Sequence, residues 1–168
     1  MNVNDVILQR RSIRKYTGRV IEQDKLDTIL KAGFYAPTAR NVQPTSFVVI
    51  KDKKTLSQIA EEQPNAKYCV EAGCGILVCG DKNADVDGYL VENASAAIQN
   101  MLLSAHELGL GTVWCGVYPR DARMESFVKI LDLPENILPV GFVIAGYPDE
   151  VKEVPERVDL ARVHYEKW

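Results

Sequence analysis

The residues with the plainest chemical potential lie near the N-terminus, in Arg10-Arg11-Ser12-Ile13-Arg14-Lys15-Tyr16. Three arginines and a lysine crowd into six positions around one serine. Guanidinium groups make fork-shaped, charge-assisted hydrogen bonds to phosphate, and a serine hydroxyl adds a short neutral one. The cluster therefore reads as an anion grip, against the blander reading of a solvated basic turn. The whole chain carries a formal charge of −3, which argues against a nucleic-acid surface and for a small anionic ligand.

A second concentration of polar chemistry is Ala36-Pro37-Thr38-Ala39-Arg40-Asn41-Val42-Gln43-Pro44. Two prolines bracket Thr, Arg, Asn and Gln, so the stretch is a stiff extended loop rich in donors and acceptors. It is either a plain connection or the wall of a ligand site. The cysteines offer less. Cys69, Cys74 and Cys79 follow at five-residue steps and Cys115 stands apart, matching no zinc or iron–sulfur spacing. They are expected to be buried free thiols, with no metal site and no Cys-x-x-Cys for thiol redox work.

The elements that must carry these residues follow from hydrophobic period. At 168 residues, 46% apolar and 26% charged, the chain fits a single domain with a substantial core. No apolar run is long enough to span a bilayer, and the N-terminus has no signal-peptide pattern, so a cytoplasmic protein without membrane contact is expected. Val3, Val6 and Ile7 predict a short helix over Val3–Gln9, capped by Asn2 or Asn4 and ending at the arginine cluster. Gly18 turns the chain, and Leu26, Ile29, Leu30 and Phe34 mark the inner face of a helix over Glu22–Phe34. Strands are predicted over Ser46–Lys51, Gly75–Gly80, Thr112–Val117 and Leu138–Tyr147 from their β-branched runs. Helices are predicted over Lys54–Glu62 and Asp121–Leu131, with Asn65–Ala72 ambiguous. The longest periodic element, Asp87–Leu108, has small residues on nearly all sides and predicts a central or interface helix stopped by Gly109 and Gly111. Its polar residues Glu92, Asn93, Gln99 and Asn100 read as solvent or interface positions. The tail from Val151 is charged and ends in Tyr165 and Trp168, which predicts docking instead of fraying. The class is α+β, with a four-stranded sheet between helices and no dinucleotide-binding glycine loop.

Four stretches, in this order and spacing, resemble the nitroreductase family of FMN-dependent oxidoreductases. They are the arginine cluster, the proline-bracketed loop, Gln99-Asn100-Met101-Leu102-Leu103 running on to Leu108-Gly109-Leu110-Gly111-Thr112, and the closing Arg162-Val163-His164-Tyr165. The resemblance covers nearly all of residues 1–168. It implies a central, mostly antiparallel sheet of four to five strands flanked by helices. It also implies an intertwined homodimer whose tails, about residues 150–168, dock on the partner.

By the same resemblance, FMN lies in the subunit interface. Arg10 and Ser12 would hold its phosphate, Arg11 the ribityl chain, and Arg14 the N1/O2 side of the ring. Pro37, Thr38, Arg40, Asn41 and Gln43 would come from the partner subunit. Trp114, Cys115 and Gly116 would run along the ring with the Gly116 N–H aimed at N5, and Arg162 would return to the phosphate. Asn65 and Lys67 would meet the pyrimidine edge. No side-chain catalytic acid or base is implied, and Cys115 packs beside the ring. Thr45 stands where many relatives carry an aromatic, and the chain lacks the extra helices of larger members. The implied activity is ping-pong hydride transfer from NAD(P)H to a nitroaromatic, quinone or similar acceptor. The alternatives are a flavin-binding or delivery protein with little turnover, and a family variant that dehalogenates or modifies flavin.

Overall fold

The structure, a computed structural model, describes residues 2–168. Asn2 does cap the first helix: its side chain accepts the Asp5 N–H at 3.0 Å and opens α1 (Val3–Gln9). The remaining elements are α2 (Gln23–Phe34), β1 (Thr45–Ile50), α3 (Lys53–Glu62), β2 (Cys74–Asp81), α4 (Leu90–Glu107), β3 (Gly111–Gly116), α5 (Asp121–Leu131) and β4 (Ile137–Gly146). The ambiguous stretch after α3 is a 3₁₀ segment, Pro64–Val70.

The strands form one four-stranded sheet in the order β1-β2-β4-β3, antiparallel at every pairing. β4 is central although it comes last, and β3 is an edge. Between the Val78↔Gly141 and Cys79↔Pro139 pairs, Val140 is an extra residue on β4, a bulge. Its carbonyl receives the N–H groups of both Val117 and Tyr118, at 3.3 and 3.1 Å, and so bends the chain leaving β3.

Both sheet faces are covered, and for that reason β2 and β4 read as continuous apolar runs. Leu77, Cys79, Cys115, Phe142 and Ile144 pack against Leu56, Ile59 and Phe127 of α3 and α5. Ile76, Val78 and Val143 pack against Leu26, Ile29, Ile98 and Met101 of α2 and α4. Each such side chain contributes about 1.5–3 kcal/mol on burial. All four cysteines are buried free thiols.

Three local expectations need correction. The long helix begins at Leu90, because Asp87 and Gly88 adopt left-handed φ of 59° and 81° and form a turn. Gly111 opens β3; Gly109 alone, at φ 77°, ends the helix. Phe34 points outward, 60% exposed, with its ring edge-on to Phe47 at 4.8 Å. Among the described residues, no helix is long and apolar enough to cross a membrane.

Candidate functional site

The arginine segment is threaded beside the start of β3. The Ile13 N–H donates to the Thr112 carbonyl at 2.9 Å, and Thr17 N–H to Tyr147 at 3.0 Å. Tyr16 is buried and its hydroxyl donates to the Ile13 carbonyl at 2.6 Å, locking the turn. Held in this way, Arg10, Arg11, Ser12 and Arg14 line one cavity of about 450 Å³ together with Lys152, Glu153 and Arg157. Arg11 Nε donates to the Glu153 carbonyl at 3.1 Å, which fixes the beginning of the tail, and Arg14 N–H donates to Glu150 Oε1 at 2.6 Å.

Burial, then Arg11, then Arg157 push the Arg10 guanidinium below its ordinary value. Arginine keeps its proton in practice, so the shift expresses a charge stripped of water first and crowded by like charges second, both of which a bound anion would offset. His106, in the last turn of α4, is pushed down by burial and by Arg10 and Arg11, leaving it neutral at pH 7.

The second part of the site is the end of β3. Main-chain groups alternate sides along a strand. The Thr112 carbonyl takes Ile13 N–H, and the Gly116 carbonyl takes Arg123 Nη1 at 2.8 Å. Thr112, Trp114 and Gly116 therefore turn their main-chain groups away from β4, toward the open edge. Beside Gly116 nothing lies within 4 Å of the position a Cβ would take, so a flat ligand can approach its N–H closely. The Trp114 indole, 38% exposed, lies flat over Gly141. Cys115 is inward, its thiol donating to the Asn65 carbonyl at 3.2 Å, and burial raises it to about 11. Arg14 and Arg123 both act on that thiol, so they flank the strand end. Asn65 Oδ1 is buried without a hydrogen-bond partner, an acceptor awaiting a donor.

The third part is the proline-bracketed loop. Arg40, Asn41 and Gln43 all adopt left-handed φ, 47°, 55° and 49°, which costs free energy for non-glycine residues. Thr38 Oγ1 accepts the Gln43 N–H at 3.0 Å, and Gln43 Nε2 donates to Asn41 Oδ1 at 3.2 Å. Buried Asn93 accepts the Ala39 N–H at 3.0 Å, and Arg40 pairs with Asp87 at 2.8 Å. The loop is thus a braced, strained edge on the first turn of α4.

The structure threads the arginine cluster along the open edge of β3 that ends at Gly116, with Cys115 and Asn65 on the sheet face covered by α3 and α5 and Trp114 on the opposite face, near Ile98 of α4. The loop residues Pro37, Thr38, Arg40, Asn41 and Gln43 belong to another edge of the same chain. Lys67 lies over the Tyr68 ring at 5.8 Å. Arg162 pairs with Asp159 at 3.0 Å, and the tail arginine that lines the cation cavity is Arg157. Arg157, Arg123 and Gln63 escaped the sequence reading, because a single polar residue on a helix or tail has no distinguishing signal; Asn93, read as a solvent or interface position, is buried under the loop instead. A wider groove of about 560 Å³ between α3 and α5, lined by Gln58, Glu61, Ser126 and Lys129 among others, includes none of the residues predicted from sequence.

Comparison with known proteins gives the same picture. A family model described as the nitroreductase family matches residues 7–68 and 70–147. A relative from Archaeoglobus fulgidus, provisionally named an NADH dehydrogenase/NAD(P)H nitroreductase, is 40% identical over 97% of this chain and 97% of its own. A crystal structure from Parabacteroides distasonis under the same provisional name superposes with TM-score 0.96 at 36% identity, covering 100% of both chains. A nitroreductase from Desulfovibrio desulfuricans, solved in complex with FMN, superposes with TM-score 0.86 at 30% identity over 100% of this chain and 98% of its own. The chain belongs to the nitroreductase family.

Proposed function

We propose that the protein is an FMN-dependent NAD(P)H oxidoreductase that works as a homodimer. The observation that carries this reading is the open edge of β3, with the cavity of crowded cations at its start, where Ile13 pairs with Thr112, and an exposed Gly116 near the orphaned Asn65 acceptor at its end. A phosphate, a heterocyclic nitrogen and a ring N–H are the complementary groups, and FMN carries all three. Arg10, Ser12 and Arg157 would hold the phosphate, and Arg11 would lie along the ribityl chain. The Gly116 N–H would meet N5, with Asn65 at the pyrimidine edge and the Trp114–Cys115 stretch of β3 running alongside the ring.

FMN supplies the acceptance and return of hydride. Arg14 would contribute a cation on the pyrimidine side, where negative charge gathers on reduction. The braced loop bearing Pro37, Thr38, Arg40, Asn41 and Gln43 supplies the opposite wall in the partner subunit. Two chains are supported by apolar side chains exposed in one, namely Val3, Ile7 and Leu8 on α1 and Tyr35 after α2. They are supported also by a tail in which every residue from Val151 is exposed, Trp168 completely at 101%. No side chain here serves as proton donor. Reductant and acceptor would occupy the same open face in turn, a ping-pong sequence. Nitroaromatics, quinones and free flavin are the acceptor classes, consistent with relatives such as the NADPH-flavin oxidoreductase of Vibrio harveyi, 30% identical over 98% of this chain.

Anaerobic stopped-flow reduction with NADH and with NADPH, followed by an acceptor panel, tests this. Reduction by either nicotinamide and reoxidation by an acceptor are expected. Tight FMN binding without reduction would refute the oxidoreductase and leave a flavin carrier.

A further inference from the structure

Gly116 is the weakest link in the proposed ring contacts. It is a glycine at the end of an edge strand, open on its side-chain face, and the chain swings away immediately after it. Something must hold it for its N–H to keep one direction. Arg123, in the first turn of α5, donates from Nη1 to the Gly116 carbonyl at 2.8 Å. Arg123 is itself held from behind. Its carbonyl accepts Gln63 Nε2 at 3.0 Å and Ser126 Oγ at 3.1 Å, and Gln63 also donates to Ser126 Oγ.

Gln63 is only 2% exposed and joins α3 to the 3₁₀ segment that carries Asn65. Its carbonyl takes the Ala66 N–H at 2.7 Å. Asn65 in turn receives the Cys115 thiol, one residue before Gly116. The contacts close a circuit: Asn65 to Cys115, Gly116, Arg123, Gln63, and back through Pro64 to Asn65. Two groups on this circuit bear on the ring contacts proposed above. One is the Asn65 Oδ1, buried and unpartnered. The other is the Gly116 N–H, turned to the open edge.

We propose that Arg123, backed by Gln63, is a positioning residue that fixes the Gly116 N–H relative to Asn65, so that both edges of the flavin ring are gripped at a set spacing. This rests on the FMN reading above. It assigns no contact with FMN to Arg123 itself.

The test is the ¹⁵N resonance of N5 in isotope-labelled FMN bound to the wild-type protein, Arg123→Met and Arg123→Lys. A hydrogen bond to N5 holds that resonance upfield of its position in a flavin whose N5 has none. The wild type is expected to show the shift, and Arg123→Met to lose most of it while FMN affinity changes less than threefold, because the phosphate is held elsewhere. Arg123→Lys, whose ammonium still reaches a carbonyl, should recover it. The rate constant of reduction by NAD(P)H should fall about tenfold or more in Arg123→Met, with the apparent nicotinamide affinity little altered. Should that variant fail to fold, as judged by circular dichroism, Arg123→Gln carries the same expectation. Failure of any form to bind FMN would refute the function itself. An N5 shift equal in the wild type and Arg123→Met would overturn the positioning role alone, as would a wild type without the shift.

Discussion

Replacing Arg10 by Met tests the anion grip without removing the aliphatic stem that packs beside Ile13. In the free protein Arg10 is repelled by Arg11 and Arg157 and partly stripped of water. Losing one of these crowded cations should leave the apoprotein as stable as before or slightly more so. In the FMN complex the same substitution removes a charge-assisted hydrogen bond to phosphate, worth about 1.5–3 kcal/mol. That corresponds to FMN binding roughly 10- to 150-fold weaker at 25 °C. Riboflavin lacks the phosphate and supplies the control. Fluorescence-quenching titrations with FMN and riboflavin on both proteins form a closed cycle. The expected outcome is a large loss for FMN, little change for riboflavin, and a wild-type FMN affinity that weakens with added salt. Equal losses for the two flavins would place the phosphate elsewhere and refute the grip. In the same assay Arg157→Ala should behave like Arg10→Met, and Arg162→Ala should not, if the phosphate is held within one chain.

Three further expectations concern the frame. Gly141→Ala puts a Cβ 2.5 Å from Trp114 Nε1 and 2.7 Å from Ile98 Cδ1, and should destabilise by about 1–3 kcal/mol, lowering Tm by roughly 2–4 °C per kcal/mol. The Tyr147 hydroxyl first, then its own backbone N–H and Arg19, hold the Glu22 carboxyl down at about 2. Its folded value lies below the ordinary 4.5, so its stabilisation is complete above pH 4.5 and lost as pH falls toward about 2. The Tm difference between wild type and Glu22→Gln should therefore shrink across that window. Burial raises Cys69, Cys74 and Cys115 to about 11 and Cys79 to about 12, so an aromatic disulfide reagent at pH 8 should find no fast thiol in the native protein and four after denaturation. A fast native thiol would contradict the packing of the strand ends.

Much of the fold was legible because its signals are local. The β-branched runs around Val49, Ile76, Val113 and Ile144 marked all four strands, and Asn2 announced α1. The strand order was not legible: β4 is last in sequence yet lies between β2 and the edge strand β3, because α4 carries the chain across the sheet to that edge before β4 pairs back inside it. Asp87-Gly88 was absorbed into the α4 pattern because the period of Leu90, Ala94 and Ala97 extends backward without a conflicting residue. Phe34 fits the inner-face spacing of α2 but falls at its last turn, where the chain has passed the sheet edge.

The site divides in the same way. Arg10 to Arg14 and the residues around Pro37 were visible as unusual local compositions. Arg123 and Gln63 act through partners 7 and 60 residues away in sequence, and no local pattern reports such a contact. Asn93 was assigned to solvent or an interface on its residue type, yet it is buried, because the loop backbone at Ala39 needs an acceptor there. Arg162 and Arg157 are equally plain in a charged tail, and only the threading of Arg11 to Glu153 brings the second to the cavity.

The central claim is that the cation cavity, the β3 edge and the Asn65 turn together hold a working FMN. Its most direct measurement is spectrophotometric: purified protein saturated with FMN, passed over a desalting column, then titrated anaerobically with NADH or NADPH. The account predicts one FMN retained per subunit and loss of the visible flavin bands after one equivalent of reductant. Protein that emerges colourless, or whose bound flavin keeps its absorbance under excess of both nicotinamides, would contradict it.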